Sequence, residues 1–265
     1  MFSHTVVTTK LPVAFFILFI LILGLEFGSF ISVLIDRVPA NENINRRSFC
    51  PKCKNELRIR DNIPLISYLA LRGRCHYCHA EISKKYPLLE IVTAAALFIP
   101  LFQFDGFWVI AAWEAFVIFG IALSAIDFQS RELPDLLIGP LFLSVTVLLG
   151  VDAQRSGHWI ELRNAAMASV FLFLLFLLIY MVTKGGIGLG DAKLAASIGF
   201  LTGYHGLIST YMATITGFTL ATLVGISYIT AKGLPTKSNF PFAPFLVVGT
   251  LMSVWLTTIM ENLRF

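Results

Sequence analysis

Two carboxylates stand at the edges of long apolar stretches. Asp127 ends one in Ala125-Ile126-Asp127-Phe128, and Asp191 opens another after Gly188-Leu189-Gly190. A carboxylate in or near hydrocarbon is costly and is kept there mainly for chemistry or ion passage. Two that converge can share one proton and hold a water between them, the arrangement of aspartic proteolysis. Asp191 follows a glycine-rich joint, Gly185-Gly186-Ile187-Gly188-Leu189-Gly190, where glycine lets backbone approach backbone or lets a helix start unobstructed. In the first turn of such a helix the positive end of the dipole favours a carboxylate. A close-packed turn with Asp191 as a plain cap is the structural alternative. A dinucleotide-binding loop is excluded by the glycine spacing and by the lack of a preceding strand.

The second chemical constellation is Cys50-Pro51-Lys52-Cys53 and Cys75-His76-Tyr77-Cys78, which together hold all four cysteines. Two Cys-x-x-Cys knuckles at this spacing form a tetrahedral thiolate site for Zn²⁺. With Cys50, Cys53, Cys75 and Cys78 as ligands the site has no open position, so the metal is structural and folds a segment too polar to fold alone. Free or redox thiols are the alternative. His76 and His79 are then solvated neighbours.

The elements that must position these groups are membrane spans. Of the 265 residues 57% are hydrophobic and 14% charged, which excludes an ordinary soluble domain. Uncharged or nearly uncharged runs cover Leu11–Ile35, Phe107–Ile126, Leu136–Val151, Ala165–Val182, Leu207–Ala231 and Phe240–Met260. Ile91–Phe104 and Leu194–Leu207 are shorter and cross only by recruiting flanking residues, since a span needs roughly 20. The expected fold is an all-α polytopic membrane protein of about eight helices with a zinc-binding cytoplasmic loop. Its parts are a first helix (1–35), the cysteine loop (36–86) and a multi-helix catalytic domain (87–265). With the N-terminus outside, sixteen of the twenty Lys and Arg fall inside, eleven of them in 36–86. This puts the loop and both aspartates on the cytoplasmic side. Topology also explains the basic loop without nucleic acid. Pro134 marks a turn with a new helix starting near Asp135, whose carboxylate is read as a cap. Glu26 and Glu114, inside spans, are expected to face the bundle interior with polar partners, and Glu90 to anchor the start of a short span.

These residues, taken in order, resemble the bacterial type IV prepilin peptidases, the GxGD-type aspartic proteases that serve type IV pili and type II secretion. The likeness rests on Gly28 to Pro39 (Gly-Ser-Phe-Ile-Ser-Val-Leu-Ile-Asp-Arg-Val-Pro), the cysteine knuckles, Arg60 to Tyr68, Tyr86-Pro87-Leu88-Leu89-Glu90, Asp127, and Gly188 and Gly190 before Asp191. Ser32 stands where the family usually has Asn, and Pro241-Phe242-Ala243-Pro244 where it often has Pro-Phe-Gly-Pro. The resemblance implies catalytic Asp127 and Asp191 and prepilin or pseudopilin substrates, in a bacterial inner membrane among its lipids. It also implies a second, S-adenosylmethionine-dependent methylation of the new N-terminus, whose site no residue here reveals. The rivals are an ion-coupled transporter, which has no need of a Cys₄ loop, and a membrane-anchored zinc adaptor.

Overall fold

The computed structural model describes residues 13–183, 187–232 and 241–263. Among them the chain is helical, its only β-pairing two isolated bridges in the cysteine region. Six helices are long and apolar enough to cross a membrane: Phe15–Arg37, Lys85–Gln103, Phe107–Ser130, Asp135–Ser156, Trp159–Thr183 and Leu207–Tyr228. A shorter apolar helix covers Ala243–Thr257. The protein is therefore a multi-pass membrane protein. It divides into two compact units, one ending at Phe102 and the other running from Gln103.

In the first unit, α1 (Val13–Arg37) packs on α3 (Lys85–Ala96). The contact runs along small residues: a side chain on Gly24 or Gly28 would collide with the backbone of Ala94 or Glu90. Such four-residue spacing of glycines lets membrane helices approach closely. Pro100 explains why α3 gives way to a separate short helix, α4 (Phe98–Gln103): its ring clashes with the carbonyl four residues back, at Ala96. The short apolar run at 91–104 thus crosses by recruiting residues from Lys85 onward, as one kinked span. Between α1 and α3 lie the cysteine knuckles, a 3₁₀ turn (Ile59–Asn62) and a one-turn helix, α2 (Ile66–Ala70). The buried guanidinium of Arg37 donates to the carbonyls of Asn43, Ile44, Arg46 and Arg47, and so folds the chain as it leaves α1.

Glu26 departs from expectation, because it is exposed. The buried stripe of α1 runs through Ile20, Gly24, Gly28, Ile31 and Ile35, and a residue two past Gly24 points to the opposite side of a helix. Glu114 is half-buried.

The second unit holds α5 (Phe107–Ser130), α6 (Asp135–Ser156), α7 (Trp159–Thr183), α8 (Leu189–Gly203), α9 (Leu207–Lys232) and α10 (Ala243–Leu263). α8 is short and mostly buried. It meets α7 through Gly199 and Gly203, where a Cβ would press to 2.6 Å from Ala168. At its N-terminal end Lys193 pairs with Asp135 at the start of α6. Just past its C-terminal end, Tyr204 donates to Asp152 near the end of α6 at 2.6 Å. Next to it, His205 Nε2 accepts from Trp113 Nε1–H of α5 at 2.9 Å. A ring nitrogen that accepts carries no proton, so this bond fixes His205 with Nε2 unprotonated. The same Asp152 oxygen also meets His158 Nδ1 at 3.1 Å. α8 thus reaches from one end of α5 and α6 to the other.

Candidate functional site

Asp127 sits one turn before the end of α5. That helix stops because Arg131 takes the left-handed conformation (φ 58°) and its N–H closes on the Asp127 carbonyl at 2.9 Å. The next helix starts at Asp135 behind Pro134, as the sequence suggests. A carboxylate near the C-terminus of its own helix meets the unfavourable end of the dipole. The N-terminus of α10 offsets this: the Ala243 N–H donates to Asp127 Oδ2 at 2.9 Å. Pro244 sits in the first turn of α10, where its missing N–H costs no helical bond. The Pro-Phe-Ala-Pro stretch, noticed in the sequence only as a departure from a family pattern, is therefore the donor that holds Asp127. A second contact, between Gly120 and Val247, fixes α5 and α10 as antiparallel.

Asp191 is the third residue of α8. Its Oδ2 turns back to accept the Gly188 N–H at 2.9 Å, closing the first turn. Its Oδ1 is buried and has no hydrogen-bond partner among the described residues. Each glycine has a steric reason. A Cβ on Gly188 would lie 3.2 Å from Asp191 Oδ2, and one on Gly190 would lie 2.6 Å from the Leu133 Cβ. Gly190 thus lets α8 press against the Arg131–Pro134 turn that follows Asp127. Gly185 and Gly186 lie outside the described residues. The fold brings the two aspartates into one region: both are more than nine-tenths buried, and the Gly190–Leu133 contact sets the start of α8, which carries Asp191, against the turn that follows Asp127.

Asp135 does not cap its helix as expected. It is the first helical residue, and its two oxygens accept from Lys193 Nζ at 2.6 and 2.8 Å. The physical reason is geometric: the cap position belongs to Pro134, and Lys193, two residues past Asp191, comes within reach. This pair ties the helix that carries Asp191 to the one that follows Asp127. Sequence reading counted Lys193 only as a charge.

In the first unit the four cysteine sulfurs lie within 4.8 Å of one another, with Cys50 and Cys78 Sγ 3.8 Å apart. Tetrahedral Zn–S bonds of about 2.3 Å give an S–S separation of about 3.8 Å, so the donor set fits zinc. The two knuckles are built alike. Cys50 N–H donates to the Asn55 carbonyl and Cys75 N–H to that of Ala80, while Lys54 and His79 donate back to Cys50 and Cys75 from left-handed backbone. The bridges Phe49–Glu56 and Arg74–Glu81 close both loops at the same step. Burial opposes the Cys50 thiolate, yet the Cys53 and Lys52 backbone N–H groups, together with the Cys75 and Cys53 thiols, bring the thiol down to about 7. His76 and His79 are exposed. Glu90 is buried and accepts the Leu65 N–H at 2.8 Å. Ser32, at the position where the family pattern has Asn, donates its hydroxyl to the Gly28 carbonyl of its own helix.

Two buried aspartates at the ends of apolar helices in one unit, and four clustered thiols in the other, are the features of a multi-pass membrane protein with a polar site in its helical bundle. Comparison with known proteins agrees. Residues 22–104 match the bacterial peptidase A24 N-terminal domain and residues 114–230 the type IV leader peptidase family. The prepilin leader peptidase/N-methyltransferase of Pseudomonas aeruginosa is 31% identical over 275 residues, covering 92% of this chain and 91% of its own. That of Neisseria gonorrhoeae is 32% identical over 259 residues, 86% of each chain. The type 4 prepilin-like proteins leader peptide-processing enzyme of Escherichia coli is 33% identical over 266 residues, 88% of this chain and 91% of its own. No solved structure matches. The chain belongs to the type IV leader peptidase family and is a peptidase, which leaves the ion-coupled transporter without support.

Proposed function

We propose that the chain cleaves the basic leader from type IV prepilins or type II secretion pseudopilins at the cytoplasmic face of the bacterial inner membrane, with Asp127 and Asp191 as the catalytic pair. The observation that carries this is the burial of both carboxyls where the start of α8 packs on the turn after Asp127, with Asp191 Oδ1 lacking a hydrogen-bond partner among the described residues. In each carboxyl a helix-terminal N–H occupies Oδ2. Asp191 Oδ1, which no described residue's N–H occupies, is thus the oxygen open to the proton the pair shares. One carboxylate takes a proton from water as the water oxygen bonds to the scissile carbonyl carbon. The other, protonated, donates to the carbonyl oxygen. Collapse of the tetrahedral diol breaks the C–N bond, the leaving amine collects a proton, and a carboxyl and a free N-terminus result. The pair titrates as a unit, so the two roles belong to the dyad.

Four further readings belong with this one. The cysteine segment at 36–86 lies in the cytoplasm and holds one structural Zn²⁺ on Cys50, Cys53, Cys75 and Cys78, closing both knuckles on each other. The chain crosses eight times: α10 is one crossing beyond the six, and α8 is another. At about 1.5 Å per residue α8 is shorter than a lone span needs, but bonds at its two ends tie it to both ends of α6 and to the early part of α5. Lys184–Asp191 and Lys232–Asn239, of which 184–186 and 233–239 lie outside the described residues, join the cytoplasmic face by the charge rule. The relatives' printed name, N-methyltransferase, and the family resemblance support a methylation of the new amine, for which S-adenosylmethionine would be the methyl donor. Ser32, already bonded to Gly28, offers that cofactor no free donor, and no residue of this chain is assigned to it.

The test is cleavage of a prepilin leader by the purified chain in detergent. Asp127→Asn and Asp191→Asn should each lower the rate by roughly 10²–10⁴-fold or more while the protein still accumulates. Near wild-type cleavage by either variant would sink the assignment.

A further inference from the structure

The segment between the knuckles carries an apolar face that the rest of the protein leaves open. Ile59, Ile63, Ile66 and Leu69 are 82%, 40%, 63% and 65% exposed. Arg58, Arg60, Arg72 and Arg74, all exposed, flank them, and the one acidic residue from 58 to 74 is Asp61. Its side chain is 6% exposed, so the face presented is apolar at its centre and cationic at its rim.

The depth of this segment is fixed by one hydrogen bond. Leu65, held at φ 57°, donates its N–H to Glu90 Oε2 at 2.8 Å. Glu90 is five residues into the span Lys85–Gln103, about 7 Å along it at 1.5 Å per residue. Leu88, Ile91 and Val92 of the same span are exposed around it. The start of α2 is therefore level with the second turn of a membrane-crossing helix, not out in water beyond its end. An amphipathic element with a basic rim, buried about 5–10 Å into the headgroup and acyl boundary, is the geometry of interfacial anchoring. Gly73, at φ 67°, folds the chain back onto the Tyr68 ring and returns Arg72 and Arg74 to the rim.

We infer that Arg58–Arg74 is an interfacial foot: Ile63, Ile66 and Leu69 enter the acyl boundary of an anionic bilayer, while Arg58, Arg60, Arg72 and Arg74 meet lipid phosphates. The occupant is the lipid surface because the chain enters and leaves this segment through membrane spans. The cationic rim also complements anionic headgroups. The foot tethers both cysteine knuckles to the membrane surface, since it lies between them in the chain.

The experiment uses the full chain in nanodiscs containing phosphatidylglycerol. A fluorescent amino acid is placed at position 66 or 69, or at exposed position 52 as reference. Positions 66 and 69 should be quenched by lipids brominated near the headgroup end of the acyl chain and protected from aqueous iodide, with the reverse at 52. Iodide quenching at 66 and 69 equal to that at 52 overturns the proposal. So does shielding from both quenchers, which means that protein covers the face. Lipid quenching should weaken in purely phosphatidylcholine discs; equal quenching there refutes the role of the arginines. Hydrogen exchange on the unmodified chain guards against a labelled protein that misfolds. Amides 59–72 should exchange more slowly in anionic discs than in amphipol, and equal exchange overturns the proposal.

Discussion

Gly190→Ala tests the site through its packing without altering either carboxyl group. A Cβ there would stand 2.6 Å from the Leu133 Cβ, 3.3 Å from its Cδ1 and 3.4 Å from its carbonyl oxygen. Two carbons settle at about 3.5–4.0 Å, so α8 and the Arg131–Pro134 turn must part by about 1 Å. The Leu133 Cβ is fixed to backbone and cannot rotate away. Overpacking of this kind costs about 1–3 kcal/mol, and the gain in helix propensity from glycine to alanine, roughly 0.5–1 kcal/mol, offsets part of it. The protein should therefore fold. Asp191 and Asp127 ride on the two surfaces forced apart, and a misplacement of about 1 Å at a reacting pair costs on the order of 10²-fold in rate. Leader cleavage by the purified variant should fall by about that factor, with its melting temperature changed by only a few degrees. Adding Leu133→Gly removes the atom that is struck and should restore most of the rate. Gly139→Ala in α6, where a Cβ meets nothing within 4 Å, should leave cleavage untouched. A Gly190→Ala enzyme as fast as wild type would refute the claim that this contact sets the distance between the aspartates.

Other outcomes follow from the same geometry. Asp135→Asn removes an ion pair whose partners are 71% and 38% exposed, so its stability cost should stay below about 1 kcal/mol, and cleavage should fall only a few-fold. Loss as deep as that of Asp127→Asn would make Asp135 part of the chemistry. Metal analysis of freshly prepared, reduced protein should find one zinc per chain; Cys75→Ser should lower that content and increase proteolysis within 36–86, and a zinc-free wild type would count against the thiolate site. For topology, a cysteine at Ser156 should react with an impermeant thiol reagent in intact cells, whereas one at Ser238, outside the described residues, should react only after permeabilisation. Labelling at Ser238 in intact cells would remove the eight-span reading.

The spans were legible because a bilayer demands long apolar runs, and the metal cluster because four thiolates fall into two matching knuckles. A further signal went unread. Glu56 and Glu81 each follow the first cysteine of their knuckle by six residues, the step at which both loops close. The glycine pairs at 24 and 28 and at 199 and 203 likewise announce close helix crossings. What could not be read was pairing across the chain. Ala243 lies 116 residues from Asp127, and Lys193 lies 58 from Asp135. Nothing local marks either contact. Glu26 was misjudged because hydropathy reports that a helix is apolar, not which of its faces meets protein.

Asp191 is also where a structural reading and a chemical one part. Capping the first turn of α8 accounts for Oδ2 alone. It leaves Oδ1 buried and without a partner among the described residues, a state that costs about 1–3 kcal/mol when nothing compensates it. A residue selected only to cap could be Ser at no such cost, since Ser caps well and has no second polar atom to leave unpaired. Asn keeps the oxygen that accepts the Gly188 N–H and offers an NH₂ at the place of Oδ1, but it cannot exchange a proton. If Asp191 is only a cap, the Asn variant should be as stable as wild type and as active. If the dyad reading holds, it should be as stable and inactive. Thermal melting and leader cleavage, measured on one preparation, separate the two, because only the chemical role needs the second oxygen.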